Sequence, residues 1–188
     1  MSNILYFDVN CVEDYNVIVE TLSKGEIIIA PTDTIYGFLA KPDAEDRVRE
    51  VKKRDNKPFL YLISDIDQLQ YFGADPEIYS DITSKYWPGN ITFILNCSGG
   101  QTIGVRMPDD VFIKTIISKL GAPLLSTSVN FSGEETINDP GMIIEKFGEL
   151  VPLIVIDENF QPKKPSTIVD ISKKPYKILR YGEKEFLC

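Results

Sequence analysis

Residues 26–30 read Glu-Ile-Ile-Ile-Ala, an apolar run in which no polar position alternates. A strand with one wet face alternates, so an unbroken run belongs to a strand buried on both faces, in mid-sheet with helices on either side. Pro31 has no N–H to give a ladder and stops the strand. Behind it come Thr32, Asp33, Thr34 and Tyr36, closed by Gly37. Two readings of that cluster stand side by side. One is a turn whose Thr and Asp side chains satisfy local backbone groups; the other is a ligand loop at the carboxyl end of a central strand.

Elsewhere the periodicity switches between strand and helix. Residues 4–7 form a short strand, and residues 13–24 a helix with Tyr15, Val17, Ile18, Val19 and Leu22 as apolar positions and Gly25 as its stop. Past the polar loop, residues 44–53 form a helix striped by Val48 and Val51, residues 59–63 a strand, and Ser64-Asp65 the start of another helix. Asp75-Pro76 opens a helix that runs through Ile78, Tyr79, Ile82 and Tyr86 to Trp87-Pro88-Gly89. Strands 91–95 and 102–107 are joined through Ser98-Gly99-Gly100 as a hairpin. Helix 109–120 lies between Pro108 and Gly121, residues 123–129 begin as a strand and leave as the hydroxyl-rich loop 126–130, and helix 140–147 stops at Gly148. Strands 153–156, 167–171 and 177–179 complete the chain. Interleaved helices and strands with hairpins among them predict one α/β domain over residues 1–188, a twisted mixed sheet flanked by helices.

Composition narrows the chemistry. The 188 residues include no histidine, which removes Ser-His and Cys-His nucleophile pairs, histidine bases and His-containing metal sites together. The net charge of −8 opposes broad binding to nucleic acid, where affinity comes mainly from neutralised phosphates, while leaving room for a local basic pocket. Cys11, Cys97 and Cys188 share no metal or redox spacing. Residues 1–8 carry no export signal and no apolar run approaches the length of a bilayer, so a cytoplasmic location is expected.

Four further stretches carry polar groups suited to a site. Residues 52–58, Lys-Lys-Arg-Asp-Asn-Lys-Pro, make a dense basic turn, either a solvated helix end or a phosphate clamp built on Arg54. Thr102-Ile103-Gly104-Val105-Arg106-Met107-Pro108 sets one arginine among apolar strand residues. Ser126-Thr127-Ser128-Val129-Asn130 offers neutral donors and acceptors, and Ser166 and Thr167 are followed by Arg180 near the end.

Taken in order, Pro-Thr-Asp-Thr-Ile-Tyr-Gly (31–37), Lys-Lys-Arg (52–54), Trp-Pro-Gly (87–89), Gly-Val-Arg-Met-Pro (104–108), Thr-Ser-Val-Asn-Phe-Ser-Gly (127–133) and Ser-Thr-Ile-Val-Asp (166–170) resemble the YrdC-like threonylcarbamoyl-AMP synthase family in its single-domain form. The resemblance implies a twisted α/β sheet with a concave, basic, nucleotide-sized cavity. It implies synthesis of L-threonylcarbamoyl-AMP from L-threonine, bicarbonate and ATP with release of pyrophosphate, for a separate tRNA-modifying transferase. The family's Lys-x-Arg and Ser-x-Asn tetrad falls on Lys52, Arg54, Ser128 and Asn130. Thr32, Thr34, Tyr36 and Arg106 are then expected at the threonine end, with Arg106 facing the carboxylate. Lys52, Arg54, Thr102, Ser128, Asn130, Ser166 and Arg180 are expected around ATP. Mg²⁺ is expected to travel with the ATP phosphates and tRNA to bind weakly or not at all. Asp55 and Asn90 stand where the family has prolines, and the wording of the basic turn is nearer the YciO branch. The alternative is therefore a YciO-like protein that holds a nucleotide or RNA with little or no synthase activity.

Overall fold

The computed structural model describes residues 3–54 and 57–187. Ten strands form one sheet: β1 Asn3–Tyr6, β2 Ile28–Pro31, β3 Tyr36–Ala40, β4 Leu60–Leu62, β5 Ile91–Asn96, β6 Thr102–Arg106, β7 Leu124–Ser128, β8 Leu153–Ile156, β9 Thr167–Asp170 and β10 Lys177–Arg180. Their order across the sheet is β1-β8-β2-β3-β7-β4-β6-β5-β9-β10. Parallel pairs (β1 with β8, β2 with β8, β4 with β6, β5 with β9) occur together with antiparallel ones, so the sheet is mixed, as the interleaved pattern predicts.

Five α-helices flank it: α1 Val12–Ser23, α2 Glu45–Lys52, α3 Pro76–Thr83, α4 Val111–Leu120 and α5 Pro140–Phe147. Aspartates hold three N-termini, with Asp75, Asp110 and Asp139 accepting from the backbone N–H of Glu77, Ile113 and Met142. Each satisfies a donor that the first turn leaves without a partner. Gly121 ends α4 in the left-handed conformation, at φ 68°.

Two expectations change. Ser64-Asp65 opens a short 3-10 helix, Ile66–Phe72, and not an α-helix; Asp65 accepts from Asp67 N–H and Gly73 takes the left-handed turn at once. The polar loop after β2 leads first to a strand that the pattern does not predict, before the expected helix α2. The loop is a tight hairpin turn of residues 32–35, and β3 returns antiparallel to β2 with Pro31 opposite Tyr36. Tyr-Gly-Phe-Leu-Ala is itself an unbroken, fully buried run.

Strand register sorts the core into layers. Ile27, Ile29, Phe38, Leu125 and Ile154 face α2 and α5, where Phe38 meets Phe147 edge-on at 5.2 Å. Ile63, Phe93, Val105 and Val169 pack with Leu69, Tyr79, Trp87 and Phe186 in a second cluster. Val105 lies opposite Tyr61, itself packed on the first cluster, so both clusters share one face of the sheet. On the other face Ile28, Ala30, Leu39, Leu62, Leu124 and Val155 meet α1 and α4. That third cluster covers only part of its face. Followed by register, Leu39 leads to Gly37, Leu124 to Ser126 and Ser128, and Leu62 to Leu60, and their partners are Gly104 and Arg106 on β6, then Ile94 and Thr92 on β5, then Ile168 on β9. Among the described residues no helix covers these positions; they are the floor of a cavity.

Candidate active site

The cavity encloses about 380 Å³, within the range of small-molecule sites. Strand alternation explains its lining. Thr102, Gly104 and Arg106 take every second place along β6, and Thr92 and Ile94 do so along β5, while Val105 and Phe93 between them go to the opposite core. Gly104 keeps the floor low: a Cβ there would come within 3.2 Å of Ile94 Cδ1.

Three guanidiniums reach the cavity, from Arg54, Arg106 and Arg180, and Thr32, Thr34, Thr92, Thr102, Ser126, Ser128, Thr136 and Ser166 line it with them; Tyr36 and Thr127 also border it, but the Tyr36 ring packs into the first core cluster and its hydroxyl accepts from Asp157 N–H at 3.2 Å. Among the described residues no carboxylate lines it. Arg106 is 3% exposed and donates through Nη1 to both oxygens of Asp33, at 2.7 and 2.5 Å. Its Nε is buried and has no hydrogen-bond partner among the described residues. A buried donor left without a partner costs about 1–3 kcal/mol, so this nitrogen is a natural contact for a ligand acceptor. Arg180 donates through Nε and Nη2 to Ser166 O, at 3.1 and 2.9 Å, and its pKa is lowered first by burial and then by the charge of Arg106. Arg54 donates to Pro58 O at 2.9 Å and lies over the Phe59 ring; burial, then Arg49, lowers its pKa. Like charges gathered in a partly dry cavity favour an anion between them.

The hairpin turn serves both readings of the polar cluster. Thr32 Oγ1 donates to Ile35 O at 2.7 Å and lies 3.2 Å from Thr34 Oγ1, which is the turn-forming role. Thr32, Thr34 and Tyr36 nonetheless line the cavity. Asn138 accepts from Tyr36 N–H, Phe160 packs edge-on against the Tyr36 ring, and Lys163 N–H donates to Thr34 O, so two distant loops brace the turn.

Lys52 behaves differently from its expected phosphate contact. It is 1% exposed and does not line the cavity. Its ammonium donates to Ser128 O at 2.5 Å, Asn130 O at 3.0 Å and Asn130 Oδ1 at 2.7 Å, three acceptors for three N–H groups. Burial, and then Arg54, lowers its pKa to about 7. Ser128 Oγ also donates to Asn130 Oδ1 at 2.7 Å, and Asn130 Nδ2 donates to Glu134 O at 2.7 Å. Lys52 and Asn130 therefore fasten the segment behind Ser128, and only Ser128 of the three reaches the cavity.

A family model for Sua5, YciO and YrdC proteins, described as "Telomere recombination", matches residues 20–182. The chain belongs to this Sua5/YciO/YrdC family. It is 28% identical over 194 residues to a threonylcarbamoyl-AMP synthase of Vibrio vulnificus, covering 91% of this chain and 100% of the relative. The crystal structure of Escherichia coli YciO superposes with a TM-score of 0.83 at 28% identity, covering 98% of both chains. Pyrococcus abyssi Sua5, crystallised with L-threonine, shares the fold with a TM-score of 0.87 at 23% identity; the match covers 96% of this chain and 58% of that one.

Of the expected site residues, Thr32, Thr34, Tyr36, Arg54, Thr102, Arg106, Ser128, Ser166 and Arg180 converge on one cavity, and Lys52 and Asn130 stand behind it. Asp55 and Asn56 of the basic turn, and Cys188, lie outside the described residues. Sequence reasoning did not single out Thr92 or Thr136 as site residues, and it placed Asp33 in the polar cluster without a partner. Thr92 had a signal in the period of two that places it on one face with Ile94; the pairing of Asp33 had none, because Arg106 is far away in sequence. No helix among the described residues is long and apolar enough to cross a membrane.

Proposed function

We propose that this cavity binds ATP, L-threonine and bicarbonate and forms L-threonylcarbamoyl-AMP with release of pyrophosphate, as an intermediate for threonylcarbamoylation of tRNA by a separate transferase. One observation carries the proposal: a chain of net charge −8 gathers three guanidiniums and a set of hydroxyls, with no carboxylate among the described lining residues, on the uncovered half of its sheet. Kinship with the V. vulnificus synthase over its whole length supports it. The threonine amine attacks carbon dioxide derived from bicarbonate and gives up a proton. A carbamate oxygen then attacks the α-phosphate, and the bond to the pyrophosphate group breaks. No protein nucleophile enters, which suits a chain without histidine; positioning and charge stabilisation supply the rate.

On this reading Arg106 Nε meets the amino-acid carboxylate, with Thr32, Thr34 and Tyr36 closing that end. Arg54 and Arg180 neutralise phosphate oxygens, and Thr102, Ser128 and Ser166 hydrogen-bond the nucleotide. Among the described residues no group of His, Cys, Asp or Glu is gathered to hold a metal, and the carboxylates beside Arg106 are engaged, Asp33 with Arg106 itself and Asp110 with the Ile113 N–H. The described side chains do not fit a resident Mg²⁺ site, and no step here depends on one.

The test is pyrophosphate release from ATP with and without threonine and bicarbonate. Release should need both, and serine should serve less well, since a lost methyl contact costs about 1 kcal/mol or more. Equal release without an amino acid would refute the synthase reading. The full commitment of Lys52 to Ser128 and Asn130 favours a second reading, a nucleotide-binding protein without synthesis. Tight ATP binding with no pyrophosphate release under any combination would select it.

A further inference from the structure

Arg180 sits on β10, an edge strand, where a long cationic side chain has no reason to keep one position unless something fixes it. The pairing of β10 with β9 is irregular at this place: Ile178 lies opposite Val169 and Arg180 opposite Ile168, so Leu179 is an extra residue. Such a bulge turns two consecutive side chains to the same side of a sheet. Leu179 and Arg180 both line the cavity, whereas Ile178 packs on the opposite core.

Two residues beyond the bulge the chain is locked down. A Cβ on Gly182 would lie 2.1 Å from Pro165 O and 2.4 Å from Thr167 N, so no other residue fits without moving backbone. Gly182 N–H donates to Thr167 Oγ1 at 2.9 Å, and the same hydroxyl donates to Lys184 O at 2.5 Å. Thr167 is 1% exposed and does not line the cavity. One buried hydroxyl thus pins both the amide and the carbonyl of the segment that follows Arg180, and Arg180 itself closes back on Ser166, the residue before Thr167.

We propose that Thr167 and Gly182 are positioning residues for anion binding: by clamping the chain after the β10 bulge they hold the Arg180 guanidinium at the cavity rim, where it receives a phosphate group of the nucleotide. This rests on the nucleotide reading of the cavity. Arg180 Nη1 makes no hydrogen bond to the described residues, which leaves one edge of the guanidinium for a ligand.

The experiment is calorimetric titration of ATP into the intact chain and its Thr167→Val, Thr167→Ser, Arg180→Gln and Thr167→Val/Arg180→Gln variants. Melting curves and amide hydrogen exchange are recorded on each without ligand. Thr167→Val keeps the shape and removes both hydroxyl bonds; Thr167→Ser restores them. Arg180→Gln should weaken ATP about ten- to a hundredfold, the worth of one charge-assisted bond. Thr167→Val should weaken ATP in the same direction and raise exchange at the Gly182 amide, while Thr167→Ser should retain wild-type affinity and protection. The decisive expectation is that Thr167→Val adds nothing further once Arg180 is glutamine, because its effect passes through that side chain. Additive losses, or a Thr167→Val variant that binds ATP as tightly as the wild type while the wild type binds well, would overturn the clamp and leave the cavity's function standing. Wild-type protein that does not bind ATP would overturn the nucleotide reading, and with it the clamp's part in binding.

Discussion

Replacing Lys52 by methionine separates a strut from a phosphate ligand. The substitution keeps most of the buried stem and deletes the ammonium that serves Ser128 O, Asn130 O and Asn130 Oδ1. Its removal leaves buried acceptors without their donor, which costs about 1–3 kcal/mol, or about 2–12 °C in Tm for a chain of this size. The pH dependence gives the sharper check. The folded pKa lies below the unfolded one, so between pH 7 and 10.5 the unfolded chain binds more protons, and wild-type stability gains about 1.4 kcal/mol per pH unit from this group. That contribution is complete above the unfolded pKa and is lost as pH falls through the folded one. Methionine has no such slope, so the gap between wild type and variant should widen from pH 7 to pH 9. Urea unfolding of both proteins at several pH values measures it. A constant gap, or unchanged stability with lost ATP affinity, would refute the strut and return Lys52 to the phosphates.

Arg54→Gln should leave Tm nearly unchanged and weaken ATP binding by about 1.5–3 kcal/mol in calorimetry, because the side chain is half-buried at the cavity wall and not in the core. Asp33→Ala should cost about 3–5 kcal/mol in denaturant unfolding, because it strands the Arg106 charge in a site 3% exposed; a loss below 1 kcal/mol would mean that water reaches Arg106. Phe147→Ala should cost about 3–5 kcal/mol through the cavity opened against Phe38 and Phe131 while leaving ATP affinity per folded molecule intact. A tRNA titration should show weak binding with a shallow salt slope that ATP abolishes, since each phosphate contact adds about 0.7–0.9 to the slope and a net charge of −8 opposes phosphate contacts over the rest of the surface; tight binding indifferent to ATP would place an RNA surface elsewhere.

The parts of this molecule written in local pattern were legible beforehand. The unbroken run before Pro31 is β2, buried on both faces; Asp-Pro and Asp starts open α3, α4 and α5, and glycines stop α4 and α5, while α3 ends at Thr83, short of the expected Tyr86. The return strand β3 was missed although Tyr-Gly-Phe-Leu-Ala is as apolar as the run before it, because Tyr36 and Gly37 were taken with the turn residues. Seeing a hairpin needs the pairing as well as the pattern. Most of the cavity was readable from the ordered motifs that carry the family resemblance; alternate strand positions explain why those residues share one floor. What was not readable is who holds whom. Lys52 reads as one cation of a solvated basic turn, and only the fold brings it to Asn130, 78 positions away.

The Asp33–Arg106 pair gives the cavity a division of labour that the motif order alone does not contain. A guanidinium paired at 2.5 to 2.7 Å with a buried carboxylate contributes little net charge to its surroundings; it contributes a direction. Among the described residues Arg54 and Arg180 bond only carbonyl and hydroxyl oxygens, with no carboxylate to offset their positive charge. At an effective dielectric of about 20, one unpaired charge at 4 Å changes an anion's energy by about 4 kcal/mol, whereas a neutral pair acts mainly through a single hydrogen bond. On the proposed reading, polyanionic phosphates belong at Arg54 and Arg180, and the singly charged amino acid belongs at Arg106 Nε, where geometry outweighs charge. Asp33→Asn therefore tests the assignment. Removing its charge while keeping its shape should tighten inorganic pyrophosphate and blur the preference for threonine at one end. If pyrophosphate affinity is unchanged in a folded Asp33→Asn protein, Arg106 does not share the electrostatic field of the other two guanidiniums, and the two-ended cavity fails.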